Sequence, residues 1–326
     1  MHAGKWNFQK RETADDDDDW SVFFYNPSLP AAILFAGLYL IPLVYHLYVS
    51  YIAYRRGRYF RYSYTLPLLI AAAVEVIGYG QRAASTQNVQ DIGTFATSLT
   101  LIVLAPVLVC ASLYILLSRI IRSTSTEASG QCHDNQEKGD TRVLGGYLKA
   151  AWLPKIFITL DVGAMLTQGG GSAVASAGEW EEDSLGKAGK GILIAGLALQ
   201  LATFSVFLVV VVKFHRDALK GGVLAQEEGM KRVLSGVYIA GFFIMVRSIF
   251  RVIEFAWGMD SYLMTHEWPV YVLEAVPMFI AFMVLGWYHP SRWLPSSAAG
   301  ESKGRQWLKR HRRRNLPQQG ESVSSV

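Results

Sequence analysis

Three charged residues stand inside a stretch of chain that is otherwise apolar. The run 233–257 contains Arg247, Arg251 and Glu254. It is long enough to cross a bilayer, which takes about 20 apolar residues. An ionised side chain at the centre of a spanning helix costs on the order of 3 kcal/mol. The spacing is i, i+4, i+7, so all three share one helix face. Such a face cannot meet lipid. It must meet a partner or a wet cavity inside a bundle.

The remaining sequence supplies that bundle. Of 326 residues, 51% are hydrophobic and 17% charged, against roughly 25% charged in a soluble domain. The apolar residues fall into seven blocks, at about 30–53, 64–84, 94–118, 152–171, 189–212, 233–256 and 269–288. Their lengths suit tilted helices rather than barrel strands of about 10 alternating residues. The predicted fold is an all-α membrane protein of seven transmembrane helices. An acidic, disordered tail (1–28, with Asp15 to Asp19) precedes the membrane domain (29–290), and a basic tail (291–326) follows it. No cleavable signal peptide is expected from the polar first 20 residues.

The net charge of +5 is distributed as a membrane protein distributes it, not as a nucleic-acid binder does. Arg55, Arg56, Arg58 and Arg61 fill the first loop. Arg119, Arg122, Lys138, Arg142 and Lys149 fill the third, and Lys213, Arg216, Lys220, Lys231 and Arg232 the fifth. The second and sixth loops hold no Lys or Arg, and the fourth sets Lys187 and Lys190 against Glu179, Glu181, Glu182 and Asp183. The positive-inside rule then puts the C-terminus in the cytoplasm and the N-terminus outside. The plasma membrane is the expected location, with an endomembrane as the alternative. The cluster Lys309, Arg310, Arg312, Arg313 and Arg314, beside Trp307 and Leu308, suits contact with anionic inner-leaflet lipids. A tail that only fixes topology is the plainer reading. Trp152, Trp257, Trp268 and Trp287 mark expected interfaces.

Eight ionisable residues other than histidine fall inside the blocks: Glu75, Arg82, Lys155, Asp161, Arg247, Arg251, Glu254 and Glu274. Four acids balance four bases. Lys155, near the inner end, can snorkel to the interface. The others predict interhelical ion pairs lining one polar cavity, with Glu75 pairing Arg247, and Glu254 or Glu274 pairing Arg82 or Arg251. Intramembrane charges mark substrate or ion pathways; the alternative is that the pairs only fix helix packing. Gln168 shares a helix face with Asp161 and runs into Gly169, Gly170 and Gly171, read as loop. Gln200 lies in the fifth block. Pro106 and Pro277 interrupt the third and seventh, where freed backbone carbonyls permit hinges.

Several chemistries find no support in the pattern. The two cysteines, Cys110 and Cys132, have neither disulfide-framework nor metal-ligand spacing. There is no His-x-x-x-His metal pair and no nucleophile elbow. Gly186 to Gly191 superficially resembles a phosphate loop but lacks the hydroxyl after Lys190 and the upstream glycine. No cofactor, metal or nucleic-acid partner is expected, and the oligomeric state is open.

Taken in order, the short motifs resemble a known family. They are Glu75-x-x-Gly78-Tyr79-x-x-Arg82, Leu104-Ala105-Pro106 with Ala111 and Tyr114, and Asp161 with Gln168. Gly196-Leu197-x-x-Gln200 and Arg247-x-x-Phe250-Arg251-x-x-Glu254 with Gly258 follow. Then come His266-Glu267, Tyr271, Glu274, Pro277 and His289-Pro290. Over about residues 25–290 the chain resembles the fungal lipid-translocating exporters, seven-span proteins tied to aminocholesterol resistance and to release of sphingoid long-chain bases. The resemblance implies movement of an amphiphilic lipid substrate among membrane lipids. It implies a pathway drawn from Glu75, Arg82, Asp161, Gln168, Gln200, Arg247, Arg251, Glu254 and Glu274. A cationic headgroup would sit near the acids, which the arginines balance. The alternative is a seven-helix receptor or sensor of lipid stress, although no cysteine serves an outer-face disulfide. An opsin is disfavoured, since the seventh block offers no lysine. An intramembrane lipid enzyme lacks a nucleophile–base or metal pattern.

Overall fold

The computed structural model describes residues 23, 25–55, 64–129, 142–143, 148–149, 151–177, 184–220, 228–258 and 261–293. The acidic run Asp15 to Asp19, most of the third loop with Cys132, the acidic fourth-loop patch and the basic cluster Lys309 to Arg314 lie outside the described residues. So do Arg56, Arg58 and Arg61.

Seven long helical segments coincide with the seven apolar blocks. They are α1 (Leu29–Arg55), α2 (Thr65–Gln87), α3 (Ile92–Ser129), α4 (Leu153–Ala177), α5 (Ser184–Lys220) and α6 (Glu228–Ala256). The seventh begins as a π-helix (Val270–Ala275) and continues as α7 (Val276–Trp287). A two-residue antiparallel ladder, Arg142–Val143 with Leu148–Lys149, lies between α3 and α4. α1, α3, α5, α6 and the seventh segment are each long and apolar enough to cross a membrane. α2 and α4 are not among these five. Glu75, Gln81 and Arg82 lower the mean hydropathy of α2, and Lys155, Asp161, Gln168 and the glycines that of α4. α3 has 38 residues and α5 has 37, or about 55 Å at 1.5 Å per residue. Both exceed the roughly 30 Å hydrocarbon core of a bilayer.

Consecutive long helices pack on one another, and the seventh segment returns to touch α1, which closes the ring. Aromatic side chains fill the interior in two groups. Phe35 stacks on Tyr271 and Tyr39 on Tyr79, joining α1, α2 and the seventh segment. Tyr114 meets Phe207 edge-on at 4.6 Å, with Phe157 beside them, joining α3, α4 and α5. The outer faces are apolar: Leu34, Val44, Leu166, Val206, Val209 and Phe242 are each more than half exposed. That is the inverse of a soluble bundle and what lipid contact requires.

Local chemistry sets the helix ends. Asp91 caps α3: its Oδ1 accepts from the N–H groups of Gly93 (3.0 Å) and Thr94 (3.3 Å), and its Oδ2 from the Thr94 hydroxyl. The Thr94 hydroxyl above all holds this carboxyl below the usual carboxylate range. Gly258, with φ of 90°, turns the chain just beyond α6.

The glycine triplet corrects the sequence reading. α4 runs on to Ala177, so Gly169, Gly170 and Gly171 are helical rather than loop. So is the Gly186–Gly191 segment, which lies within α5. Gly171 abuts the Leu193 backbone, and Gly189 abuts Ala175. A methyl group on Gly196 would stand 2.9 Å from the Ala164 carbonyl and 2.8 Å from Gln168 Cγ. Small residues here let two backbones approach, as between membrane helices generally. Gly196→Ala is expected to cost about 1–3 kcal/mol through overpacking and to lower the melting temperature of the purified protein in detergent. Gly170→Ala, with open space at its Cβ, leaves it unchanged or raises it.

Candidate functional site

The buried charges meet where α6, the π-helix and α3 converge. Arg247 lies on the inner face of α6, and its Nη2 donates to Glu274 Oε1 at 2.6 Å. The same nitrogen donates to the Ile102 carbonyl at 3.2 Å. In an unbroken α-helix that carbonyl would accept from residue 106. Residue 106 is proline and has no N–H. Pro106 therefore frees an acceptor inside α3, which Arg247 takes. One turn along α6, Arg251 Nη1 donates to Glu254 Oε2 at 2.8 Å and stands 3.7 Å from Glu274 Oε2. Glu274 thus faces two guanidinium groups, and Glu254 is bound by the arginine three residues before it. All four side chains are almost fully enclosed.

The π-helix gives Glu274 this aim. Val276 N–H donates to the carbonyl of Tyr271, five residues back, and Tyr271, Glu274 and Ala275 are all buried. Such bulges recur at functional sites. Pro277 follows directly, in the first turn of α7, where proline is tolerated.

Arg82 marks a second cluster. Its Nε donates to the Tyr271 hydroxyl at 3.3 Å and its Nη2 to the Tyr25 hydroxyl. Tyr271 in turn donates to Glu267 Oε1 at 3.1 Å. Glu267 itself is 3.9 Å from Arg82, the outer limit of an ion pair. On the α3–α5 side, Tyr114 donates to Asp161 Oδ2 at 2.7 Å, and Gln168 Nε2 donates to Gln200 Oε1 at 2.8 Å. Tyr39 donates to the Ala275 carbonyl at 2.7 Å, beside the π-helix. Lys155 Nζ stands 5.2 Å over the Trp152 ring.

The pairing differs from the sequence expectation at Arg247, which pairs with Glu274 and not Glu75. Of the two arginines offered to Glu254 or Glu274, Arg251 meets both, its pair with Glu254 lying within α6 rather than between helices. Arg82 pairs weakly with Glu267. Glu75 is buried on α2, and its Oε2 has no hydrogen-bond partner among the described residues. The same holds for Asp161 Oδ1 and the Tyr79 hydroxyl. Sequence reasoning singled out Glu267, Tyr271 and Tyr114 only through the resemblance. It gave Tyr25 no role, because a tyrosine ahead of the first helix carries no periodic signal.

A closed ring of apolar-faced helices around buried, paired charges defines an integral multi-pass membrane protein. The chain belongs to the family described as RTA1 like protein, whose model matches residues 68–130 and 146–297. It is similar to protoporphyrin uptake protein 1 of Saccharomyces cerevisiae, at 23% identity over 82% of this chain and 91% of that one. A probable lipid transporter, atnI, of Emericella nidulans is 26% identical over 83% of this chain and 68% of its own length. The sphingoid long-chain base transporter RSB1 of Saccharomyces cerevisiae is 23% identical over 71% of this chain and 65% of its own. No solved structure matches the chain.

Removing one partner of a buried pair leaves the other charge stranded, at a cost of about 3–5 kcal/mol. Arg247→Met and Glu274→Met should each destabilise the protein by that order in detergent unfolding. The double variant should lose clearly less than the two losses added.

Proposed function

We propose that this chain moves an amphiphilic lipid, of the class of sphingoid long-chain bases, across a membrane, and so protects against toxic lipids or drugs. One observation carries the reading: the Glu75 carboxylate is buried beside the Arg247–Glu274 pair, yet its Oε2 has no hydrogen-bond partner among the described residues. A buried acceptor left unmade is costly, and an ammonium headgroup is what it lacks. The lipid chain would stay among apolar side chains while the headgroup passes Glu75, Asp161, Gln168, Gln200, Arg247, Arg251, Glu254, Glu274 and Arg82. Pro106 and Pro277 would act as hinges. The names of two relatives, a probable lipid transporter and a sphingoid long-chain base transporter, support the substrate class.

The reading includes seven spans over residues 29–290, with the N-terminal tail outside and the basic C-terminal tail in the cytoplasm on anionic lipid. The plasma membrane is its proposed location. Movement would be downhill or proton-coupled, without catalysis.

The test is movement of a fluorescent sphingoid base across proteoliposomes. Wild type should move it. Glu75→Gln, shown to be folded, should slow it about tenfold or more, since a charge-assisted hydrogen bond contributes about 1.5–3 kcal/mol. No movement by folded wild type, across several lipids and with a pH gradient, would replace the transporter with a receptor or sensor of lipid stress.

A further inference from the structure

The segment ahead of α1 is docked, not trailing. Phe23 is buried and meets Phe95 of α3 edge-on at 4.8 Å. The Tyr25 hydroxyl accepts from Arg82 Nη2. The Ser28 N–H donates to Glu267 Oε2 at 2.9 Å. Three contacts thus tie residues 23–28 to α2, α3 and the turn that leads into the π-helix. The Phe23, Tyr25 and Tyr271 rings lie 5.5–6.0 Å from the Arg82 guanidinium carbon.

Arg82 is the least neutralised of the three buried arginines among the described residues. Arg247 has a carboxylate oxygen at 2.6 Å and Arg251 has one at 2.8 Å. Arg82 has one at 3.9 Å and otherwise two phenols. Burial raises the Tyr25 phenol above its ordinary range, more than the Arg82 charge beside it lowers it. Tyr25 therefore offers a neutral oxygen. An ionised acceptor adds a Coulombic attraction to the guanidinium that a neutral phenol lacks. A buried guanidinium held by a neutral phenol, inside an aromatic collar, is a site for an anion that its own chain is filling.

We propose that Arg82, positioned by Tyr271, is an oxyanion site for a lipid headgroup, phosphate or carboxylate, and that Tyr25 is a tethered stand-in which the headgroup displaces. Phe23 and Tyr25 then cover Arg82 until a ligand takes the place of the Tyr25 hydroxyl. The inference rests on the pathway reading in so far as Arg82 belongs to that pathway. Glu267 opposes the anion: among the described residues it is the carboxylate nearest Arg82, at 3.9 Å. A tethered competitor acts at an effective concentration in the millimolar range, so it masks a real site by the fraction of time it is docked.

Binding to the purified protein tests this without any need for transport. Dodecyl phosphate, dodecanoate and dodecylammonium are titrated calorimetrically against the full chain in nanodiscs of neutral lipid, with inorganic phosphate as the headgroup alone. Phe23→Ala/Tyr25→Ala should bind one or both anionic amphiphiles at least fivefold more tightly than wild type. The preferred anion identifies the headgroup. Tyr25→Phe, which keeps the ring and the packing, should show part of that gain. Glu267→Gln should add to it, and Arg82→Gln in the double-alanine background should abolish it. The cation arm should not follow this pattern. Unchanged or weaker anion binding in Tyr25→Phe, or a gain that survives Arg82→Gln, would overturn the proposal. Failure of sphingoid-base movement, with these binding shifts intact, would count against the transport reading alone.

Discussion

A guanidinium removed from water must be neutralised by whatever surrounds it, and most of this fold can be read from how that is done for Arg247. Its partners sit on two other elements. Glu274 belongs to the π-helix, and the Ile102 carbonyl to α3. Neither pairing forms unless α6 lies between those elements at one depth and rotation. The Coulombic attraction is strong because the medium is poor, and the same medium makes a misplaced partner expensive. The pair is thus as much a specification of helix register as a source of stability. Pro106 has a part in that specification. Its missing N–H is felt at Ile102, one turn earlier, as an acceptor that no helix bond occupies.

Around this centre the polar groups are graded. Close ion pairs surround Arg247 and Arg251, while Arg82 is held mainly by tyrosine hydroxyls. The acids Glu75 and Asp161 each keep an oxygen with no hydrogen bond among the described residues. Aromatic rings separate and wall these groups, with Tyr39 and Tyr79 stacked beside Glu75 and the Tyr114 ring beside Asp161.

Much of this is legible in the chain. The seven apolar blocks coincide with seven long helical segments among the described residues, five of them long and apolar enough to cross a membrane. The spacing of Arg247, Arg251 and Glu254 announces a shared inward face, and α6 buries it. What periodicity cannot supply is the partner across the interface. On paper Arg247 falls to Glu75, whereas in the fold it pairs with Glu274. The choice depends on crossing geometry and on a π-helix, which leaves no pattern of its own. The glycine triplet in α4 misleads for a related reason. Glycine's permissiveness suggests a loop, whereas here its lack of a side chain serves close helix packing. Tyr25 is invisible for a third reason: its role comes from a single contact made far away along the chain.

The glycine seam between α4 and α5 has a mechanical consequence. At Gly171, Gly189 and Gly196 the two backbones approach closely because these residues bring no side chain of their own, and Gln168 and Gln200 are bonded across the same seam. Side chains that interdigitate can slide by changing rotamers, but main chain against main chain has no such slack. The two helices therefore travel as a single stave of the barrel. Any parting of the ring would then run along one of its other joints.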